Sequence, residues 1–331
     1  MSNTRPIHDL TRLLVIILNY RTAQLTIDCL KSLSAEVQTQ PGTHVVVTDN
    51  DSKDGSVEQI GAAIVSEGWQ DWVSLMPLGR NGGFAFGNNA AIRVALESAN
   101  PPDYVLLLNP DTVVRSHALT ELLDFMIEHP DVGITGSRLE NPDGTQQHSA
   151  FRFPTLLSEL DFSWRFGFLS QLLSRWAVAP PLSLSSCSTD WVSGASMMVR
   201  REVFEKVGLL DEHYFMYFEE VDFCLQVQQA GWSCWYVPQS RVVHFVGQSS
   251  GVMAPNGPVK KLPSYWFDSR RRYFLKHHGW PYAALTDALW LLGFGLWRWR
   301  RPIQGKIDED PPKFLRDFWV NSVFVKGKRI D

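Results

Sequence analysis

The sequence predicts an α/β fold in which a mostly parallel sheet is flanked by helices and followed by a helical C-terminal extension. Short apolar runs alternate with amphipathic helical patterns through the first half of the chain, which is typical of βαβ units. The apolar fraction of 44 % and the charged fraction of 20 % are ordinary for globular proteins. At 331 residues the chain is long for one compact core, so we expect a large domain with an appendage.

The predicted strands and helices alternate along the chain. We expect strands at 13–18, 45–48, 73–76 and 104–108, and helices at 22–33, 56–67, 87–97 and 119–128. The stretch "GSRLENPDGT" predicts a hairpin with an Asp-Gly turn. Polar residues follow the strands, namely Asn19, Asp49, Arg80 and Asp111. Because ligands of open α/β sheets bind at the carboxyl ends of the strands, these residues predict a binding site at that edge.

Acidic residues at this edge indicate a nucleotide and a metal ion. In "VVVTDNDSKDGS", Asp49, Asp51 and Asp54 can accept hydrogen bonds from a base and from ribose hydroxyls. A diphosphate would then lie over Asp111, where a hard divalent cation must bridge carboxylate and phosphate oxygens. A structural role, capping a helix or holding a loop, is the alternative for Asp111. The glycine-rich "RNGGFAFGNN" does not match G-x-G-x-x-G and does not predict a dinucleotide site.

A second acidic cluster opens a helix that we expect to begin near Glu219 and to stop at Gly231. Glu219, Glu220 and Asp222 all fall in its first turn, where the helix dipole favours carboxylates. The cluster predicts a general base for a hydroxyl, and simple charge complementation is the alternative. Further on, His244 follows a strand, either as a structural histidine or as an imidazole ligand that shares a metal with Asp111.

Two segments are candidates for contact with lipid. Residues 153–180 are rich in Leu, Phe and Trp on all sides, which predicts a helical insertion that is partly lipid-facing or else buried in protein. Residues 260–306 carry ten Lys and Arg against two acids, in a chain whose formal net charge is −4. The same region contains tryptophans at positions 266, 280, 290, 297 and 299. An anionic membrane surface is therefore the expected partner rather than nucleic acid.

The apolar run 283–297 is shorter than the ~20 residues of a spanning helix, so it predicts an interfacial helix, or alternatively a helix packed on the catalytic domain. The N-terminal residues contain no long apolar run of the signal-peptide type. The four cysteines form no C-x-x-C pair, which favours reduced thiols. We therefore expect a cytoplasmic protein that associates peripherally with the inner face of the cell membrane.

The ordered motifs "ILNYRT", "VVVTDNDSKDGS", "LGRNGGFAFGNN", "LLLNPDT", "WVSGASMMVRREVFEKVGLLDEHYFMYFEEVDFCLQ" and "VVHFVG" carry a resemblance. Over roughly residues 11–250 the chain resembles the inverting family-2 glycosyltransferases of GT-A fold, particularly the bacterial rhamnosyltransferase-like branch. The resemblance implies Asn19, Tyr20, Asp49, Asn109 and Asp111 as nucleotide and donor residues, and Asp51, Arg80 and Asn81 complete the expected set. The resemblance also implies Mg²⁺ or Mn²⁺ on Asp111 and His244, and Glu220 as the catalytic base.

The chain departs from the family pattern at two places. Asn109 replaces the first acid of the D-x-D motif, and Glu219-Glu220 replaces Glu-Asp, so Glu219 and Asp222 remain open as bases. Trp191, Gly194 and Asp211 are expected to shape the sugar and acceptor pocket, with ordinary core and turn roles as the alternative.

The resemblance implies a domain over 1–255 and an extension over 256–331. It also implies transfer of a sugar with inversion, from a nucleotide-diphosphate donor such as dTDP-rhamnose to a saccharide or lipid-linked saccharide, in bacterial cell-surface polysaccharide synthesis. A sugar nucleotidylyltransferase would need a glycine-rich, basic loop after the first strand, and "NYRTAQLT" lacks one. A non-catalytic saccharide-binding or scaffold protein is the alternative from another class.

Overall fold

The computed structural model describes residues 11–245 and 260–328. The expected boundary between residues 255 and 256 lies outside the described residues, as does the N-terminal stretch 1–10 in which no signal peptide was predicted. Within the described residues the sequence forms a large central sheet with helices on both faces, followed by a helical C-terminal part.

The strands confirm the predicted α/β class. They are β1 (Leu13–Asn19), β2 (Thr43–Asp49), β3 (Val73–Pro77), β4 (Tyr104–Leu108), β5 (Thr112–Val114), β6 (Val132–Glu140), β7 (Ala150–Phe151), β8 (Cys187–Ser188), β9 (Trp191–Val192), β10 (Ser196–Arg200) and β11 (Ser233–His244). In the described part of the chain the sheet order is β3-β2-β1-β4-β10-β6-β11-β5, with β8 also on β11. Strands β3, β2, β1 and β4 are parallel, and β10 runs antiparallel between β4 and β6.

The helices agree with the predicted alternation over the first half. They are α1 (Ala23–Thr39), α2 (Ser56–Ser66), α3 (Gly83–Leu96), α4 (Ala118–Glu128), α5 (Leu156–Trp164), α6 (Gly167–Leu172), α7 (Arg201–Val207), α8 (Glu219–Gln229), α9 (Ser264–Ile303), α10 (Phe314–Asn321) and α11 (Val323–Lys326). Helix α3 begins four residues earlier than expected, within the glycine-rich turn. The expected hairpin is reduced to a single bridge between Glu140 and Gln146, around a turn in which Gly144 has φ +84°.

Both faces of the sheet are covered, as parallel strands require. Successive side chains of β1 point to opposite faces, so Val15 and Ile17 enter one core cluster while Leu14 and Ile16 enter the other. Helices α1, α2 and α4 pack on the first face, and α3, α7 and α8 pack on the second. Every residue of β4 is buried, and this holds the chain that follows it in a fixed position at the edge of the sheet.

The insertion 153–180 is not one continuous helix. It divides into α5, α6 and a 3₁₀ turn at Ser174–Trp176, because Arg165 ends α5 in a left-handed conformation at φ 50°. Helix α5 packs on α9, where Trp164 Nε1 donates to the Leu289 carbonyl at 3.2 Å. Helix α5 thus packs on protein along one side, while Phe162 of α5 and Phe168 of α6 are 53 % and 82 % exposed.

A buried arginine joins the C-terminal helices to α5. Arg270 donates to Glu159 at 2.8 Å and to Asp287 at 2.7 Å, and its side chain is 4 % exposed. The second oxygen of Asp287 accepts from the backbone N–H of Val323, at the start of α11, at 2.9 Å. The Arg270–Asp287 pair thus links α5, both parts of α9 and α11.

We expect the substitution Arg270→Met to lower the free energy of unfolding by about 3–5 kcal/mol, because it leaves Glu159 and Asp287 with uncompensated buried charge. Urea denaturation followed by circular dichroism measures this. Lys31→Met is the matched control, since the Lys31–Glu67 pair is 3.5 Å apart and half exposed and should contribute only about 0–1 kcal/mol. Equal losses in the two variants would contradict the assignment.

Candidate active site

A cavity of about 440 Å³ opens at the carboxyl edge of the sheet. It is lined by Leu18, Tyr20, Asn50, Asn81, Gly83, Phe84, Asn109, Pro110, Ser193, Gly194, Ala195, Phe215, Met216, Tyr217, Glu219, Glu220, His244 and Tyr265. A smaller cavity of about 270 Å³ lies beside β7 and β8 and contains none of the predicted site residues. The larger cavity is therefore the candidate active site.

Asn19 and Asp49 lie beneath one end of this cavity rather than in its lining. Asp49 accepts hydrogen bonds from Asn19 Nδ2 at 2.6 Å and from the Ser52 hydroxyl at 2.7 Å, and both Asn19 and Asp49 are buried. These bonds fix the two loops that carry Tyr20 and Asn50 into the lining. Asp49 is thus a carboxylate already engaged within the protein.

The remaining predicted donor residues divide between the lining and its surroundings. Asn81 lines the cavity, where its Oδ1 accepts from Asn50 Nδ2 at 3.0 Å. The Asp51 carboxylate pairs with Lys53 Nζ at 2.9 Å. The guanidinium carbon of Arg80 lies 4.6 Å from the ring centroid of Phe86. Neither Asp51 nor Arg80 belongs to the cavity lining.

Asp111 and His244, from distant parts of the sequence, meet at the sheet edge. His244 Nε2 lies 3.5 Å from Asp111 Oδ1, and the backbone N–H of Phe245 donates to the Asp111 carbonyl at 2.9 Å. His244 lines the cavity and Asp111 lies buried behind it. Asn109 also lines the cavity, with its backbone N–H bonded to Ala195 at 3.0 Å.

A carboxylate and an imidazole this close form a donor set that suits a divalent cation. In the described ranges 11–245 and 260–328, no group of three or more His, Cys, Asp and Glu side chains forms a complete metal cage. Such a partial set is typical of sites at which substrate phosphates supply the remaining oxygens. Asp111 and His244 therefore fit the role that the sequence predicted for them.

Two consecutive residues with positive φ precede α8. Tyr217 has φ 71° and Phe218 has φ 69°, a conformation that costs about 1–3 kcal/mol at each non-glycine residue. The turn places Tyr217 in the cavity and starts the helix at Glu219 and Glu220, which line it. The Oε2 atoms of Glu219 and Glu220 are buried with no hydrogen-bond partner.

Desolvation controls the protonation of these two acids. Burial, with the adjacent Glu220 as a second cause, raises the pKa of Glu219 well above its ordinary value. Burial also raises the pKa of Glu220 to about 7. Part of the Glu220 side chain is accessible, but its Oε2 is not, and the loss of water at that oxygen explains the shift. A carboxylate that titrates near neutrality is a suitable general base.

Asp222, the third candidate base, faces away from the cavity. It is fully buried and accepts from Tyr214, Gln226, Lys276 and His277, the last at 2.6 Å. With all these donors it anchors α9 to α8, and it does not belong to the cavity lining. The two glutamates are the acids of this cluster that reach the cavity.

The structure also separates the predicted acceptor residues. Gly194 lines the cavity, where a Cβ would lie 3.1 Å from the ring of Phe84. Trp191 stacks on Phe151 at 4.3 Å and lies outside the lining. Asp211 accepts from Arg272 and from Lys276, each at 2.9 Å. Although burial acts to raise it, the bonds from Lys276, the His213 N–H and Arg272 hold the pKa of Asp211 below its ordinary value.

Several lining residues were not predicted from the sequence. Asn50 follows the predicted strand-end acid directly, and this position could have identified it. The sequence around Phe84, Phe215 and Tyr265 contains no local pattern that predicts their contribution to a cavity. They reach the cavity through tertiary packing alone.

The pair of Asp111 and His244 and the two desolvated glutamates thus meet at the carboxyl edge of the sheet, where open α/β folds bind their ligands. Residues 11–288 match the model of the family described as "Glycosyltransferase like family 2". The chain belongs to this glycosyltransferase family, and its fold is GT-A.

Relatives and solved structures agree with this assignment. The chain is 30 % identical over 270 residues to the N-acetylglucosaminyl-diphospho-decaprenol L-rhamnosyltransferase of Mycobacterium tuberculosis (strain ATCC 25618 / H37Rv), covering 77 % of this chain and 82 % of that protein. It is 29 % identical to rhamnosyltransferase WbbL of Escherichia coli (strain K12), covering 49 % and 61 %. The mannosyltransferase PcManGT of Pyrobaculum calidifontis, solved with GDP-Man and Mn²⁺, aligns with a TM-score of 0.53 at 15 % identity, covering 98 % and 73 %. That structural likeness bears on the fold.

We expect Glu220→Gln to stabilise the protein at alkaline pH. Because the pKa of Glu220 is about 7 when folded and about 4.5 when unfolded, the native state binds the proton more tightly, and stability falls as pH rises from about 4.5 through about 7. The variant removes this loss, so its free energy of unfolding should exceed that of the wild type by about 1–3 kcal/mol at pH 8 and match it near pH 4. Urea titrations at both pH values measure the difference.

Glu58→Gln provides the matched control, since Glu58 is an exposed acid in the first turn of α2. It should show no gain at pH 8. An equal gain in both variants would contradict the desolvation of Glu220.

Proposed function

We propose that this glycosyltransferase moves a sugar with inversion from a nucleotide-diphosphate donor to a lipid-linked saccharide, in a reaction that requires a divalent cation. The observation that carries the proposal is that His244, which lies 3.5 Å from Asp111, and the desolvated Glu220 line one cavity. The relatives named as rhamnosyltransferases support L-rhamnose as the sugar and dTDP as its carrier. Bacterial cell-surface polysaccharide synthesis is the corresponding role.

In the proposed mechanism Glu220 accepts the proton of an acceptor hydroxyl. The acceptor oxygen attacks C1 of the donor sugar from the face opposite the diphosphate, and the new C–O bond forms as the bond from C1 to the diphosphate oxygen breaks. The electron pair leaves with the nucleotide diphosphate, and the configuration at C1 inverts. Glu220 then releases its proton to water.

The other residues of the cavity hold the donor. Tyr20, Asn50 and Asn81 border the end nearest Asp49 and would contact the nucleoside. Asp111 and His244 would hold Mg²⁺ or Mn²⁺, which when bound neutralises the charge of the diphosphate. Burial raises the pKa of Glu219 well above its ordinary value, so its protonated carboxyl would donate a hydrogen bond to a substrate oxygen.

The purified protein should release nucleotide slowly from one member of a panel of sugar nucleotides with Mn²⁺, and faster with a lipid-linked N-acetylglucosaminyl diphosphate. Glu220→Gln should lower the rate of transfer by about 10²–10⁴-fold, because the general base is lost. A coupled assay of nucleotide release measures both rates, and nuclear magnetic resonance of the product gives the anomeric configuration.

Glu58→Gln, in the first turn of α2, should retain the full rate of transfer. Absence of nucleotide release from every donor, with acceptor and Mn²⁺ present, would refute the proposal and favour a saccharide-binding or scaffold protein. Retention of configuration would refute the single displacement.

We also propose that α9 docks on a membrane surface. One side of its second half exposes large apolar side chains at helical spacing, namely Leu285, Leu292, Leu296, Trp299 and Ile303, which are between 46 % and 71 % exposed. The opposite side is buried. There Trp290 stacks on Phe318 of α10, and their ring centroids are 3.7 Å apart. An exposed apolar stripe that includes a Trp suits a membrane interface, because contiguous apolar surface marks membrane contacts and Trp favours the level of the lipid headgroups.

Nearby charges contribute less to this proposal than the sequence indicated. Arg298 and Arg301 both pair with Asp308, and Arg300 donates to the Trp164 carbonyl at 2.8 Å. No helix within 11–245 or 260–328 has the length and hydropathy needed to cross a membrane. The exposed apolar stripe is therefore the feature that supports peripheral association.

The double substitution Leu292→Glu and Leu296→Glu should weaken binding to phosphatidylglycerol-containing vesicles by about tenfold or more, because each leucine loses its favourable transfer from water. Sedimentation with vesicles measures the bound fraction. Val65→Glu with Val94→Glu is the control, since these valines are 65 % and 59 % exposed on α2 and α3. Unchanged sedimentation of the leucine variant would contradict the role of the stripe.

A further inference from the structure

Three aromatic rings form one wall of the cavity beside the catalytic glutamates. Phe215 and Tyr217 come from the turn before α8, and Tyr265 comes from the first turn of α9. The ring centroids of Phe215 and Tyr265 are 5.2 Å apart, and those of Tyr217 and Tyr265 are 6.1 Å apart with planes inclined by 21°. We name these three residues the aromatic wall.

The backbone behind the aromatic wall is held from two sides. The N–H of Phe84 donates to the Phe215 carbonyl at 2.9 Å, and a Cβ on Gly83 would lie only 2.0 Å from that carbonyl oxygen. On the other side, the hydroxyl of Ser269 donates to the Met216 carbonyl at 3.0 Å. The wall is therefore preorganised, and only glycine at position 83 allows this close approach.

The position of the aromatic wall limits what it can bind. Tyr217 lies two residues before Glu219, and the three wall residues line the same cavity as Glu219 and Glu220. The acceptor hydroxyl must come within hydrogen-bond reach of the general base. A saccharide ring whose hydroxyl reaches Glu220 therefore lies within reach of the wall.

Aromatic faces carry negative charge density, and the C–H bonds on one face of a pyranose ring present weak positive charge. A sugar ring can therefore stack on such a wall while its hydroxyls reach the nearby carboxylates. We propose that the aromatic wall binds the pyranose ring of the acceptor saccharide, and that Tyr265 gives the C-terminal helix α9 a direct part in acceptor recognition. This inference rests on the proposed function and adds the residues that select the acceptor.

The test uses the full chain, Mn²⁺, the donor that the panel identifies, and two synthetic acceptors, N-acetylglucosaminyl diphosphate esterified with a methyl or an octyl group. Tyr265→Ala should raise the KM for both acceptors by about tenfold, since a lost stacking contact is worth about 1 kcal/mol or more. The rate of donor hydrolysis without acceptor should fall by less than the efficiency of transfer, because hydrolysis needs no acceptor saccharide. Tyr265→Phe, which keeps the ring, should stay within about threefold of the wild type.

Tyr265→Leu provides a second variant that fills space without a π face, and it should raise the KM in the same way. Trp319→Ala, at a half-exposed aromatic residue of α10, is the control and should change neither rate. An unchanged KM in Tyr265→Leu would overturn the inference, and so would an equal loss of hydrolysis and transfer, which indicates a merely structural role.

A KM increase confined to the octyl acceptor would also overturn it, because the wall would then bind the lipid. Failure of the proposed function is distinguishable from all these outcomes, since the wild type itself would then release no nucleotide.

Discussion

The carboxylate of Asp222 is the contact on which the candidate active site depends. It is buried at the start of α8 and accepts hydrogen bonds from Lys276 and His277 of α9 as well as from Tyr214 and Gln226. A buried carboxylate with several donors is satisfied only in one arrangement of the elements that supply them. Asp222 therefore fixes α9 against α8, and with it the position of Tyr265 relative to the two glutamates.

The residues that carry the candidate chemistry also lower the free energy of unfolding. Glu219 and Glu220 carry buried oxygens without hydrogen-bond partners, and Tyr217 and Phe218 adopt left-handed conformations just before them. Each feature costs free energy, and such costs persist only where the surrounding structure imposes them. Here the surroundings are the two-sided core of the sheet and the contacts of Asp222. The turn before α8 thus lowers stability, which indicates that it serves function rather than folding.

The sequence predicted the sheet edge well and the C-terminal half of the site poorly. Strands 13–18 and 104–108 were recognisable because an apolar run followed by a polar residue is a local pattern, and β1 and β4 are parallel neighbours in one sheet. Asp211 was expected to shape the sugar and acceptor pocket and Asp222 was one candidate base, yet their partners Arg272 and His277 lie more than fifty residues away in the sequence. No local pattern could reveal that such distant cations engage them.

Helix α9 connects the two halves of the proposed function. Its backbone departs from helical geometry at Gly279, where φ is 78°, and this break divides the helix into two parts. The first part contributes Tyr265 to the cavity lining, and the second part carries the exposed apolar stripe. In the proposed reaction the saccharide of a lipid-linked acceptor reaches Glu220 while its lipid chain stays in the bilayer. Because α9 contributes to both the cavity wall and the outer surface, it can hold the saccharide and the lipid chain of such an acceptor at a fixed distance from each other. Arg270, bonded to Asp287 across the kink at 2.7 Å, keeps the two parts of α9 in a fixed relation.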